Sequence, residues 1–214
     1  MSSSWYHSHH SSQYGDGVFG ALVFDGPTSD NWDIDLGPLT VSDWYSQTAA
    51  QVDDLTEVGL TAGGPGPSAS NVLINGTNKA VGNMTGSYLK VKLTTGKKHL
   101  LRVVNTAVDN AFRVSLDGHN ITLVTSDFVP VQPISVESVM INIGQRYEMI
   151  IEANQTPGNY VSCIVKSHSS RDKTNHISSG FVSSPRVSAV TPSTTALVSL
   201  SSPTQAFALQ NQRP

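Results

Sequence analysis

Three of the seven histidines, His7, His9 and His10, fall within four positions of the string Trp5-Tyr6-His7-Ser8-His9-His10-Ser11-Ser12-Gln13-Tyr14-Gly15-Asp16-Gly17. Imidazole nitrogen ligates divalent transition metals, and copper heads their affinity order. In an extended chain, side chains alternate faces at about 3.3 Å per residue, so His7 and His9 project the same way with bases about 7 Å apart. Two imidazoles so placed converge on one metal or reach two adjacent ones, while Ser8 and His10 point to the other face. A bare His-x-His pair also occurs on surface strands without any ligand, and a His cluster after Met1-Ser2-Ser3-Ser4 has the look of an expression tag. Trp5, Tyr6 and the interleaved Ser8 argue against the tag. So does the direct run into Val18-Phe19-Gly20-Ala21-Leu22-Val23-Phe24, which reads as a buried strand.

The whole string is more specific than the pair. With the apolar strand and Asp25-Gly26-Pro27 that follow, it resembles the end of the first domain of fungal laccases, the phenol-oxidising multicopper oxidases. The resemblance implies that His7 and His9 bind the type 3 copper pair, one histidine to each copper. His10 falls at a variable position of the family motif and is not counted as a ligand.

The elements that must hold these residues are those of a β protein. Only 14% of the 214 residues are charged, and Ser, Thr, Gly and Val are abundant, a composition that suits an all-β extracellular chain with a sizeable core. A formal net charge of -3 supplies no basic footprint for nucleic acid or anionic membrane, and no apolar run approaches a membrane span. The single cysteine, Cys163, can form no internal disulfide. Four sequons, at Asn75, Asn83, Asn120 and Asn154, fit the glycan acceptor pattern and favour a secreted origin. The N-terminus has neither a charged n-region nor an apolar h-region. Met1 stands just ahead of a motif that lies mid-chain in the resembled family, so the chain is read as an excerpt.

Residues 1–27 are expected to form the C-terminal strand segment of a first cupredoxin-like domain, and 28–163 a second such domain. Asp33 to Val41 alternates toward Asp43-Trp44-Tyr45, which is similar to the start of the laccase second domain; 46–59 suits a short helix and 61–71 a loop. Leu89, Val91 and Leu93 alternate with Lys90 and Lys92, a half-buried strand. Asp117-Gly118 reads as a hairpin turn between 111–116 and 120–125, and Gly144-Gln145 as the turn of a second strand pair, 138–143 with 146–153. Pro130 and Pro133 confine the segment between them to an edge or a loop. Short strands with turns at this spacing predict an all-β, Greek-key β-sandwich. The strings Asn71-Val72-Leu73-Ile74-Asn75-Gly76, Ser115-Leu116-Asp117-Gly118-His119 and Gly144-Gln145-Arg146-Tyr147 resemble family landmarks in the right order, so the resemblance runs from about residue 5 to 163 and implies the cupredoxin-like form. Residues 164–214, rich in Ser and Thr without a sustained period, are expected to be a disordered tail.

A blue-copper site needs two His and a Cys thiolate. Cys163, flanked by Ser162 and Ile164, lacks the His-Cys-His arrangement of the family, so neither a type 1 nor a type 2 copper site is expected in this chain. His99, His119, His168 and His176 stand isolated and are read as surface or hydrogen-bonded residues. Asp109-Asn110 suits a turn between strands. The resemblance implies another role, since Asn105-Thr106-Ala107-Val108-Asp109-Asn110-Ala111-Phe112 matches the setting of the acidic residue that lines the phenol pocket and accepts the phenolic proton. The reading is therefore a laccase-like segment, with phenols and dioxygen as partners of the intact family member. The alternative is a non-catalytic secreted β-sandwich module or an inert truncated gene product.

Overall fold

Alternation of apolar and polar residues builds most of the chain. The computed structural model describes residues 2–80, 85–167 and 193–200; Asn83, His168 and His176 lie outside the described residues. The strands are β1 (Ser2–His7), β2 (Phe19–Phe24), β3 (Ile34–Trp44), β4 (Asn71–Ile74), β5 (Leu89–Thr94), β6 (Lys98–Asn105), β7 (Ala111–Leu116), β8 (Ile121–Ser126), β9 (Val129–Val136), β10 (Ser138–Ile141), β11 (Arg146–Glu152), β12 (Asn159–Ser167) and β13 (Ser193–Leu200). One α-helix, α1 (Ala49–Thr61), and a 3-10 turn, Gln13–Asp16, complete the described elements. None of the described helices is long and apolar enough to cross a membrane.

Two sheets form a sandwich, as expected. One has the order β4-β3-β6-β11-β8-β9 and the other β10-β7-β12-β13-β5. Between them Leu39, Val41, Val103, Ile121 and Met149 of the first sheet meet Phe112, Val114, Ile141 and Ile164 of the second, all nearly or fully removed from water. Removing a side chain such as Phe112 from this interior would cost about 3–5 kcal/mol. The Pro130–Pro133 segment lies in β9, an edge strand, where a missing N–H does no harm. In β3, Gly37 at φ +76 permits the irregularity between Asp35 and Pro38 in its parallel pairing with β6.

The two expected hairpins are not hairpins. β7 and β8 flank Asp117-Gly118 but enter different sheets, as do β10 and β11 around Gly144-Gln145. A tight turn serves a hairpin and a sheet-to-sheet arch alike; here β8 and β11 pair with each other, and β7 with β10, because that closes both sheets over one core. Order also continues beyond Cys163. β12 runs to Ser167, and β13 pairs parallel to β12 and antiparallel to β5, so the expectation of a wholly disordered 164–214 does not hold for 164–167 and 193–200. Thr194, Thr195, Leu197, Val198 and Leu200 suit a strand, which the low overall hydrophobicity of 164–214 obscured. The rest of that segment lies outside the described residues.

The outer face of the six-stranded sheet is also buried. Leu100, Val124 and Ile150 pack with Trp32. Beside them Arg102, itself fully buried, donates to Asp35 at 2.7 Å and to Glu148 at 2.5 Å. Burial raises the pKa of Glu148, opposed by the attraction of Arg102. Against β6 and β11 lies the β1–β2 hairpin. Ser2 Oγ donates to the Asp127 carbonyl at 2.7 Å and Arg146 Nε to the Ser3 carbonyl at 3.3 Å.

Candidate functional site

The expected histidine pair sits where β1 ends. His7 is the last residue of β1, opposite Phe19 of β2, and Ser8 N–H still donates to Val18 O at 2.9 Å. Ser11 then takes a left-handed φ of 51° and the chain turns through the 3-10 element. His7 stacks on Trp5 at 4.2 Å between ring centroids and on His9 at 4.7 Å, with Tyr14 tilted against it at 5.2 Å. The two imidazoles therefore share a face, and their rings approach more closely than the ideal strand spacing because the chain leaves β1 between them. His7 Nδ1 lies 3.0 Å from the Ser8 carbonyl. The tautomer that donates this hydrogen bond leaves Nε2 with a lone pair for a metal. His10 is exposed and outside the stack; its backbone N–H donates to Ser8 Oγ at 3.2 Å. No group of three or more His, Cys, Asp or Glu able to hold a metal occurs among the described residues. The donor chemistry fits two ligands of a larger set.

The loop after β6 carries Asp109, which is exposed. Its backbone is held from two sides. Asn105 Nδ2 donates to the carbonyls of Asn110 at 2.9 Å and Ile141 at 3.0 Å, while its Oδ1 accepts the Ala107 N–H at 2.9 Å. The buried Asp43 carboxylate accepts the N–H of Val108 at 2.9 Å on Oδ1, and on Oδ2 the N–H of Asp109 at 3.0 Å and Asn110 Nδ2 at 2.7 Å. Burial, then the negative charges of Asp43 and Asp109, push the Tyr45 hydroxyl well above its ordinary pKa against a hydrogen bond to the Asn110 side chain. Burial raises Tyr14 too, followed by the charges of Asp43 and Asp53. Asp43 was missed as a site residue. Its signal was available, because Leu39, Val41 and Asp43 share the inward face of β3 and a carboxylate at a core position must find donors.

The histidine hairpin and the Asp109 loop touch. A β-carbon at Gly15 would lie 3.1 Å from Val108 Cγ1 and 3.2 Å from Ala49 Cβ, so a side chain there would press on both the loop and the start of α1. Asp16 Oδ1 accepts the Ala49 N–H at 2.8 Å, adding a carboxylate to the start of α1, whose Thr48 and Gln51 already form a capping box. Between hairpin and sandwich opens a cleft of about 560 Å³ lined by Tyr14, Phe19, Thr40, Asp43, Trp44 and Thr106, among others.

The remaining candidates separate by environment. Asn75 at φ 46 and Gly76 at φ 72 form a two-residue turn of the type I′ kind. The Asn75 side chain is spent on β3, its Oδ1 accepting Thr40 N–H at 2.7 Å and its Nδ2 donating to Pro38 O at 3.2 Å. Asn120 and Asn154 are exposed and line one polar cleft of about 210 Å³. His99 and His119 are not surface residues. His99 is fully buried, accepts the Thr94 N–H on Nε2 at 2.9 Å, and has its pKa lowered by burial. His119 is also buried, with Nδ1 2.8 Å from the Asp117 carbonyl and its ring edge-on to Tyr160. Cys163 lies in β12, opposite Ser115 of β7.

Comparison with known proteins gives one answer. The multicopper oxidase family model matches residues 35–184. A laccase of Neurospora crassa is 50% identical over 157 residues, covering 73% of this chain and 25% of its own length. A laccase of Cryphonectria parasitica is 50% identical over 158 residues, covering 73% and 26%. The crystal structure of the laccase from Botrytis aclada superimposes with a TM-score of 0.66 at 31% identity, covering 86% of this chain and 38% of that one. The chain thus spans about a quarter of the length of these two curated relatives. The sandwich is the cupredoxin-like one expected, copper is the metal of this family, and the chain belongs to the multicopper oxidases.

Proposed function

We propose that the chain supplies part of a secreted laccase: residues 1–27 the end of a first cupredoxin-like domain, residues 28–163 the second. In the complete enzyme, phenols lose one electron and one proton each, and four such losses reduce dioxygen to two waters. Copper, when bound, accepts the electrons and passes them to dioxygen. The observation that carries this reading is the stacked His7–His9 pair at the end of β1, one face of which presents two imidazoles with His7 Nε2 free to ligate. His7 and His9 would each hold one copper of the type 3 pair.

Asp109 would accept the phenolic proton. It is exposed on a loop whose backbone is fixed by Asp43 and Asn105, which suits a carboxylate that must meet a substrate hydroxyl in a set position. Glycans would occupy Asn120 and Asn154, which line an open cleft, and the exposed Asn75, whose Nδ2 keeps a second hydrogen beyond its bond to Pro38 O. Asn83 is the fourth acceptor by its sequon.

The test is a full-length laccase carrying this segment. His7→Ala or His9→Ala is expected to lower the copper content and abolish oxygen uptake with a phenol. Full copper content and parental oxygen uptake in both variants would overturn the assignment.

A further inference from the structure

We infer that Asp43 is a positioning residue for phenol oxidation: through its hydrogen bonds to the 108–110 loop it fixes the place of Asp109. The inference rests on the proton-acceptor reading of Asp109.

The geometry is specific. Asp43 comes from β3 and is buried, yet its two oxygens collect three donors from three consecutive residues, Val108, Asp109 and Asn110. Each bond has an ionised acceptor and is therefore of the stronger kind. Asp109, in contrast, is exposed, and its own backbone N–H is one of the three donors. The acceptor of the proton is thus placed by a second, buried carboxylate that acts through the loop backbone. Asp43 also lines the cleft with Tyr14 and Trp44, and Gly15 of the histidine hairpin packs on Val108, so the held loop is the part of the sandwich against which the hairpin turns.

Asparagine cannot replace this carboxylate. One of its two terminal atoms is a donor, so either the Val108 N–H or the Asp109 and Asn110 donors would face another donor. The loop would move rather than leave buried donors opposed, and displacement by about 1 Å can cost on the order of a hundredfold in rate.

The experiment compares two electron donors in a copper-loaded full-length laccase whose second-domain segment is residues 28–163 of this chain. 2,6-Dimethoxyphenol must lose a proton as it is oxidised; ferrocyanide has none to lose. Asp43→Asn is expected to lower the ratio of phenol to ferrocyanide kcat/KM by roughly ten- to a hundredfold, mainly through kcat. In the same variant, amide exchange at Val108 and Asp109 should accelerate. Asp109→Asn should lower the same ratio at least as far. A ratio within twofold of the parent in Asp43→Asn, with Asp109→Asn strongly impaired, overturns the positioning role and leaves the proton-acceptor reading standing. An unchanged ratio in Asp109→Asn overturns that reading itself, and the inference with it. Should Asp43→Asn fail to fold, Asn110→Ala removes a single donor. It is expected to lower the ratio severalfold, and no change in it would count against the inference.

Discussion

The β1–β2 hairpin and the sandwich are stabilised in opposite ways. In the sandwich, the alternation of β3, β6, β7 and β11 is answered on the inner face by the facing sheet. In the hairpin, Tyr6, Val18, Leu22, Val23 and Phe24 are all exposed, and the buried residues are Ser2 and Ser3. The hairpin is attached chiefly by carbonyls and caps, Asp127 O with Ser2, Ser3 O with Arg146 and Asp16 with the start of α1, with Phe24 edge-on to Phe128 at its far end. Apolar pattern alone therefore does not reveal which segment supplies the core. Helix α1 belongs with the hairpin in this respect, since none of its residues is buried and Leu55, Val58 and Leu60 are exposed.

The largest effect is expected at the joint between the two regions. Arg102→Met strands Glu148, whose side chain is wholly buried, and should cost about 3–5 kcal/mol in a urea unfolding measurement. Loss of under about 1 kcal/mol would mean that the sandwich does not depend on its charged outer face. A pH series addresses the same joint. The folded-state pKa of Glu148 is raised by burial, so its contribution is fully present below the ordinary carboxyl value of 4.5 and is lost as pH rises through the folded value. Urea midpoints of the parent should fall over that range and those of Glu148→Gln should be flatter; parallel profiles would refute the assignment.

Arg146→Ala removes the bond to Ser3 O, the pair with Asp127 and the guanidinium over the Phe128 ring. About 1 kcal/mol of global stability is expected to go. Hydrogen exchange in β1 and β2 should rise by more than in β6 or β11. Uniform acceleration would erase the distinction between the regions. The smallest effect is that of Thr48→Ala, which removes the cap of a helix that buries nothing. Fraying worth about 1 kcal/mol should stay within α1, visible as faster exchange at Gln51, with the global urea midpoint unmoved.

The sheet class was legible because strands such as β5 and β7 alternate cleanly; sheet assignment was not. Asp117-Gly118 and Gly144-Gln145 mark tight turns in either case, and whether the next strand pairs back or crosses to the other sheet depends on contacts remote in sequence, such as β11 with β6. The common face of His7 and His9 followed from their spacing, and the helix after Tyr45 from local pattern, though its cap at Thr48 places it slightly later than expected. The inward face of β3 marked Asp43 as a carboxylate in need of donors, but a strand gives no local hint of which N–H groups it will meet. The sequon at Asn75 has a second role that the pattern does not show: Asn-Gly at a left-handed turn, with Thr two residues on, also serves the backbone.

The bond between Arg146 and the Ser3 carbonyl joins residues 143 apart in sequence. On a ribosome, at roughly 5–20 residues per second, β1 and β2 are made on the order of ten seconds before their anchoring strand exists. Until that strand exists the Ser3 carbonyl and the Arg146 guanidinium cannot meet, so within this segment the seat of the histidine hairpin on the sandwich is completed only when β11 is in place, and the order of synthesis sets the order in which the two regions can be joined.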